Sequence, residues 1–272
     1  MNSKYNILQK ELQKVRSAII AFSGGVDSAF LLAISKKILK DQVVAVTAMG
    51  PHYLKEDQIM AADLAQDLGI RHIKIPLNLM TNQNFCKNTQ ERCYICKFSL
   101  FEKLTKLKKE IGFHSIFHGE TVSDIKKDRP GRKAAKEWNV QAPLITSGFV
   151  KPEIRLLSKE LGLPSWNLPS RSCRATRIET NTIITLERLQ QIETAEQFLT
   201  QFGFEEYRIR LNCEGNARLE FSKESDMIKS IRYRKQILKD LQVIGFKRIG
   251  IDLAGYQSNV DVKGDPKNYG EL

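Results

Sequence analysis

Ser23-Gly24-Gly25-Val26-Asp27-Ser28 stands between a short apolar, β-rich run, SAIIAF at 17–22, and a stretch with helical spacing. A strand that delivers two glycines, two hydroxyls and a carboxylate into a helix start is built to meet an anion. The glycines let a ligand approach the backbone, successive N–H groups form a nest, and the helix terminus adds positive potential. Ser23 and Ser28 can donate hydroxyl hydrogen bonds to phosphate oxygens, and Asp27 can hold Mg²⁺ or position the loop. The loop lacks the Gly-Lys-Ser/Thr ending of a Walker loop and the GxGxxG spacing of a dinucleotide fingerprint. Its bland reading is a tight strand-to-helix turn with Asp27 as a cap.

Sulfur is the second chemistry. Cys93 and Cys96, in RCYICK at 92–97, precede a helical pattern running from 98 to 111, a position where thiolates are stabilised and can bind metal together. Cys173 stands between Arg171 and Arg174, whose charge lowers its pKa if the side chains come close. Three cysteines brought together suit a [4Fe–4S] cluster with one iron left without a protein ligand. Zinc is the competing metal. It needs Cys86 or Cys213 to complete four ligands, because none of the four histidines stands near the CxxC in sequence. Separate unligated thiols are the bland alternative, and Cys86 and Cys213, with no motif around them, read as small buried hydrophobes. Five cysteines after a start with no export pattern argue against a disulfide framework.

The elements that must position these groups alternate. Residues 4–16 carry Ile7, Leu8, Leu12 and Val15 on one helical face. Strands are expected at 17–22, 43–48, 72–77 and 115–120, and helices at 28–38, 55–68, 98–111 and from Lys151 to Gly162. This alternation implies an α/β fold with a doubly wound parallel sheet. From about Trp166 the pattern becomes a smaller α+β domain, with helices near 185–202 and 223–242 and strands YRIRL, ARLEF and KRIGIDL. The expected domains are therefore 1–166 and 167–272. Trp138 and Trp166 are read as packing residues.

The formal net charge is +12, with basic runs at 103–110 and 126–136, so nucleotides, phosphorylated substrates and RNA all suit it. No apolar run approaches the roughly 20 residues of a bilayer span, and a cytoplasmic location without membrane association is the expectation.

SGGVDS after a first strand resembles the hallmark of the PP-loop ATP pyrophosphatase superfamily. That resemblance implies cleavage of ATP between the α- and β-phosphates. It assigns Ser23, Gly24, Gly25, Asp27 and Ser28 to the departing pyrophosphate, and Thr47 and Gly119 to the nucleotide. AFSGGVDS, RCYICK, the HGE and DRPGR segments, the PLI…KPEIRLLSKELGLPSWNLPS run, Cys173 with Ala175-Thr176-Arg177-Ile178, YRIRL and IDLAGY together resemble one family over nearly the whole chain. It is the LarE family, the ATP-dependent sulfur transferases of nickel-pincer cofactor biosynthesis.

The likeness implies adenylation of a carboxylate of pyridinium-3,5-biscarboxylic acid mononucleotide and its conversion to a thiocarboxylate. It also implies a sulfur source at the position of Cys173, which is either sacrificed or joins Cys93 and Cys96 in holding a [4Fe–4S] cluster that carries sulfide. The CxxC pair puts this chain with the cluster-bearing subgroup. Arg208 and Arg210, alternating along YRIRL, are expected to grip the mononucleotide phosphate, with Arg177 beside them and Asp124 on Mg²⁺. The sulfide donor is unspecified, and a homo-oligomeric assembly is expected. Two departures from the family pattern are Asp128 before Arg129 and Gln257 after Gly255-Tyr256.

Three rivals stand beside this reading. A tRNA thiolase also uses a PP-loop and cluster cysteines, and suits the charge. An ammonia-using ligase would leave the cysteines idle. A nucleotide- or cluster-sensing module would bind ATP without releasing pyrophosphate.

Overall fold

In the computed structural model, residues 2–125, 130–169, 171–204 and 206–256 are described. Asp128, Arg129 and Gln257 lie outside them. Contacts divide the chain into two units, Met1–Arg171 and Ser172–Leu272. Sequence pattern changes at about Trp166, but Arg155 donates Nη1 to the Trp166 carbonyl at 2.9 Å and Nη2 to that of Leu168 at 2.7 Å. The Lys159 ammonium lies 4.8 Å from the Trp166 ring centroid. These contacts keep the connecting segment on the first unit.

The first unit holds strands β1 (Ala18–Ala21), β2 (Val43–Met49), β3 (Arg71–Pro76) and β4 (Ser115–His118) in the order β3-β2-β1-β4, all pairs parallel. Its helices are α1 (Asn2–Gln13), α2 (Val26–Leu39), α3 (Lys55–Asp67), α4 (Gln83–Cys86), α5 (Arg92–Glu110), α6 (Val122–Ile125), α7 (Pro130–Glu137), α8 (Pro143–Thr146) and α9 (Lys151–Glu160). Side chains alternate across a strand, and β1 shows the consequence. Ala18 and Ile20 enter one core with residues of α1, α2, α3 and α9, whereas Ile19 enters the opposite core with Phe101 and Leu104 of α5 and Ala134 and Ala135 of α7. Both faces are covered, which is why SAIIAF is apolar throughout instead of alternating. The sheet order reverses direction between β1 and β4, so a crevice opens at the carboxyl ends of those two strands.

The second unit pairs β5 (Tyr207–Leu211) antiparallel with β6 (Ala217–Phe221), and β6 parallel with β7 (Ile249–Ile251). Helix α10 (Leu186–Gln201) is capped by Thr185, whose hydroxyl accepts from the Arg188 amide at 3.2 Å. The helix expected over 223–242 is two, α11 (Glu224–Arg232) and α12 (Arg234–Val243), broken at Tyr233, whose ψ of 11° leaves the helical range. A second boundary also differs from expectation. RCYICK does not precede its helix but forms the start of α5, so Cys93 and Cys96 occupy its first two turns. No helix among the described residues is long and apolar enough to cross a membrane.

Phe30 and Phe149 are both fully buried and meet edge to face at 5.5 Å between centroids, joining α2 to the segment before α9. Phe30→Ala is expected to cost about 3–5 kcal/mol, measured as the shift in urea midpoint of the folded chain.

Candidate functional site: an anion loop and two cysteine segments

The glycine loop leaves β1 at its carboxyl end and enters α2 at Val26. Gly24 has φ +78°, and a Cβ there would sit 2.9 Å from the Asp57 carbonyl oxygen of α3, so glycine is required on both counts. Two hydroxyls close the loop on itself. Ser28 Oγ donates to the Gly25 carbonyl at 3.0 Å, so in its 3.2 Å contact with Ser23 Oγ the proton comes from Ser23. Ser23 and Gly25 are exposed while Ser28 is buried, which leaves the mouth of the nest open to a ligand and its base fixed.

Gly119 follows β4, and the register pairs Ala21 with His118, so the two strand ends lie side by side. A Cβ on Gly119 would stand 2.8 Å from the Ser28 amide nitrogen and 2.9 Å from its Cα. Gly119 is thus placed against the first turn of α2, where only a glycine lets β4 approach the loop so closely. Thr47, assigned by resemblance to the nucleotide, is 4% exposed. Its hydroxyl donates to the Phe22 carbonyl at 2.8 Å and so accepts from His72 Nε2, also at 2.8 Å. In this state it braces the strand end that feeds the loop.

Asp27 and Asp124 converge on one ammonium. Lys151 Nζ lies 3.3 Å from Asp124 Oδ1 and 3.9 Å from Asp27 Oδ2. Asp124 is buried, and its other oxygen accepts from the Thr121 amide at 3.1 Å and the Thr121 hydroxyl at 2.9 Å. A cation position between a carboxylate of the first turn of α2 and one of α6 fits Mg²⁺, which takes one or two carboxylates and completes its shell with water and phosphate oxygens. Lys151 is a residue that sequence reasoning passed over. It was visible only as the start of a helix before Pro152, and nothing local links it to residue 27 or 124.

Nearby, Glu120 accepts Nε and Nη2 of Arg132 at 3.0 and 2.7 Å. His118, whose Nε2 is 3.8 Å from Glu120, is held at a pKa of about 3 by burial and then by the charges of Lys97 and Arg132, against an opposing pull from Asp124. It is therefore neutral at physiological pH.

At the start of α5, Cys93 is exposed and Cys96 half-buried. No histidine is near the pair in sequence, but the fold corrects that picture: His52 Nε2 lies 3.7 Å from Cys96 Sγ, and Tyr53 Oη 3.4 Å, from residues 44 and 43 positions away. Among the described residues no group of three or more His, Cys, Asp or Glu side chains is gathered as a metal site. Cys86 contacts the carbonyls of Leu79 and Met80 at 3.7 and 3.4 Å, and burial pushes its thiol up. Cys213 is exposed, contrary to the expectation that it is buried, because it lies in the tight connection between β5 and β6.

In the second unit Cys173 precedes a 3-10 turn, Arg174–Arg177. Arg177, 2% exposed, donates Nε to Glu196 at 2.9 Å and Nη1 to the carbonyls of Ser172 at 2.7 Å and Cys173 at 3.3 Å. Its role in this state is to shape the cysteine turn. Arg210 supports the same turn by donating Nη1 to the Thr176 carbonyl at 2.7 Å while Nε meets Glu220 at 2.9 Å. The arginines flanking Cys173 are each engaged by a carboxylate: Arg171 by Asp57 at 3.0 Å within the first unit, and Arg174 by Glu193 at 3.2 Å within the second. Arg208 is nearly buried, with its guanidinium 4.5 Å from the Tyr256 ring centroid. Burial, then the neighbouring charge of Arg177, depresses its pKa.

Two outcomes check this geometry. Gly119→Ala is expected to displace the loop and weaken ATP binding at least tenfold by calorimetric titration, because the atoms it meets are backbone and cannot rotate away. For His118, the folded pKa of about 3 lies below the ordinary 6.5, so the unfolded chain takes up the proton first as pH falls. Stability is then lost from pH 6.5 toward 3, and His118→Gln should flatten that acid limb in urea titrations run from pH 7 to 4.

Comparison with known proteins follows the same lines. A family model described as NAD synthase matches residues 1–100, the part that holds the loop. An uncharacterized protein of Synechocystis is 34% identical over 95% of this chain and 96% of its own length, and one of Methanocaldococcus jannaschii is 31% identical over 92% and 94%. The pyridinium-3,5-bisthiocarboxylic acid mononucleotide synthase of Lactiplantibacillus plantarum is 29% identical over 92% of this chain and 89% of its own. With an SGGVDS loop at the carboxyl edge of a doubly wound parallel sheet and identity running nearly end to end, this chain belongs to the LarE family of the PP-loop ATP pyrophosphatase superfamily.

Proposed function

We propose that this protein activates a carboxylate of pyridinium-3,5-biscarboxylic acid mononucleotide with ATP and converts it to a thiocarboxylate. The observation that carries this reading is the match, over 92% of the chain, to a synthase named for the bisthiocarboxylic acid product. A substrate carboxylate oxygen attacks the α-phosphorus of ATP, the bond to the bridging oxygen of the β-phosphate breaks, and pyrophosphate leaves into the Ser23–Ser28 nest. Asp27 and Asp124 would hold Mg²⁺ there. Lys151, drawn to both carboxylates, supplies the cationic side chain that a Walker loop carries within its own motif, and stabilises charge developing on the leaving group. The acyl adenylate turns a poor leaving group into AMP, and a sulfur nucleophile then displaces it.

Cys93, Cys96 and Cys173 are the assigned sulfur ligands. The CxxC pair supplies two sulfur ligands one helical turn apart, soft donors of the kind that iron takes once they are deprotonated. A [4Fe–4S] cluster supplies, when bound, an iron that can carry sulfide for transfer. Arg208 suits the mononucleotide phosphate: burial, and then the neighbouring charge of Arg177, depresses its pKa, and a bound anion would offset both.

Pyrophosphate release and the mass of the product, measured with ATP, Mg²⁺ and the dicarboxylate mononucleotide, test this function. Lys151→Met should slow pyrophosphate release by about a hundredfold or more. Cys173→Ala should keep the release but yield no thiocarboxylate. Anaerobic reconstitution should load about four irons, lost in Cys93→Ala, Cys96→Ala and Cys173→Ala. Thionucleoside formation in tRNA with no turnover of the mononucleotide would overturn the substrate assignment.

A further inference from the structure

The two cysteines of the CxxC differ in their surroundings. Cys93 is exposed. Cys96 faces a small polar group in an otherwise aromatic wall: Tyr53 Oη at 3.4 Å and His52 Nε2 at 3.7 Å from its sulfur. His52 has no solvent exposure and is clamped by rings, with Tyr53 4.1 Å away between centroids and Phe85 of α4 5.1 Å away. The backbone that presents the two residues is equally constrained, since the Tyr53 amide donates to the Gly50 carbonyl at 3.1 Å in a turn directly after β2. At Gly50 a Cβ would stand 2.5 Å from the Leu77 carbonyl oxygen and 3.1 Å from His52 Cε1, so the turn depends on that glycine for its closeness. A buried imidazole is costly unless it finds a polar partner, and this loop brings it and the half-buried Tyr53 phenol to one sulfur.

We propose that His52 and Tyr53 are positioning residues for the sulfur site, donating hydrogen bonds to Cys96 Sγ when it is a metal-bound thiolate. The inference rests on the cluster reading above. A ligating thiolate has no proton, so each neighbour must be the donor: Tyr53 through its hydroxyl, and His52 as the Nε2–H tautomer. Hydrogen bonds to a ligand sulfur draw electron density from it, stabilise the reduced cluster and raise its reduction potential. They also fix the rotamer of Cys96 before any metal arrives, while Cys93 stays free to adjust. Cys96 is thus the fixed corner of the site and Cys93 its adaptable one.

The test compares full-length wild type with Tyr53→Phe, His52→Leu and His52→Gln after anaerobic reconstitution, reading iron and acid-labile sulfide, EPR of the reduced state, and midpoint potential by redox titration. Circular dichroism checks folding. The expected result is a similar iron load in wild type and Tyr53→Phe, a lower potential in Tyr53→Phe and His52→Leu by the equivalent of about threefold to tenfold in the one-electron equilibrium, and recovery toward wild type in His52→Gln, which keeps an N–H donor. Tyr53→Phe removes a single oxygen from a half-buried ring, so it reports even if His52→Leu does not fold. A loaded cluster with unchanged potential and EPR in Tyr53→Phe and in every His52 variant that folds would overturn this inference and leave the cluster reading standing. Wild type that takes up no cluster would overturn the cluster reading and this inference with it.

Discussion

The meeting of β4 with the first turn of α2 is the constraint on which the first unit is organised. Gly119 sits where a methyl group would lie 2.8 Å from the Ser28 amide nitrogen, and that intimacy brings the end of β4 to the mouth of the anion loop. Parallel pairing of Ala21 with His118 sets the level at which the strands stop. The carboxylates of Asp27 and Asp124 then fall within reach of one ammonium. A sheet whose order reverses between these strands opens its crevice there because the connecting helices depart to opposite faces. The two separate cores flanking β1 are the physical expression of that departure.

Charge is handled differently in the two units. The loop region gathers cations and carboxylates around a position suited to Mg²⁺ and phosphate, and keeps His118 neutral among them by burying it. In the second unit, guanidinium groups form the structure of the cysteine turn. Arg177 donates to the Ser172 carbonyl and adds to the bonds that the Cys173 carbonyl accepts from Thr176, and Glu196 offsets its burial. Arg210 ties the same turn to the sheet through Thr176. Short sulfur-bearing segments of this kind have little hydrophobic surface of their own, so charge-assisted hydrogen bonds to fixed elements are what hold them in one conformation.

Much of the fold was legible as periodicity. Four apolar β-rich runs separated by helical stretches imply a parallel doubly wound sheet, and the four strands of the first unit pair in that way. The misreadings have local causes. RCYICK lacks the apolar spacing that marks a helix, so α5 was expected to start later than Arg92. The periodic run over 223–242 conceals a break at Tyr233, since helical spacing continues across a single residue that has left helical geometry.

By itself, the sequence determined the anion loop, its place after a first strand, the thiol spacing and the family, because each depends on residues close together in the chain or on resemblance along its length. Only the tertiary structure decided which groups share a site. Lys151 reaches Asp27 and Asp124, His52 and Tyr53 reach Cys96, and Arg177 turns inward to carbonyls. Apart from Arg177, these contacts join residues far apart in sequence, through strand ends and loops whose register is set by packing. A side chain's type says what it can do, while its partner is chosen by where the backbone brings it and by what burial then requires it to satisfy.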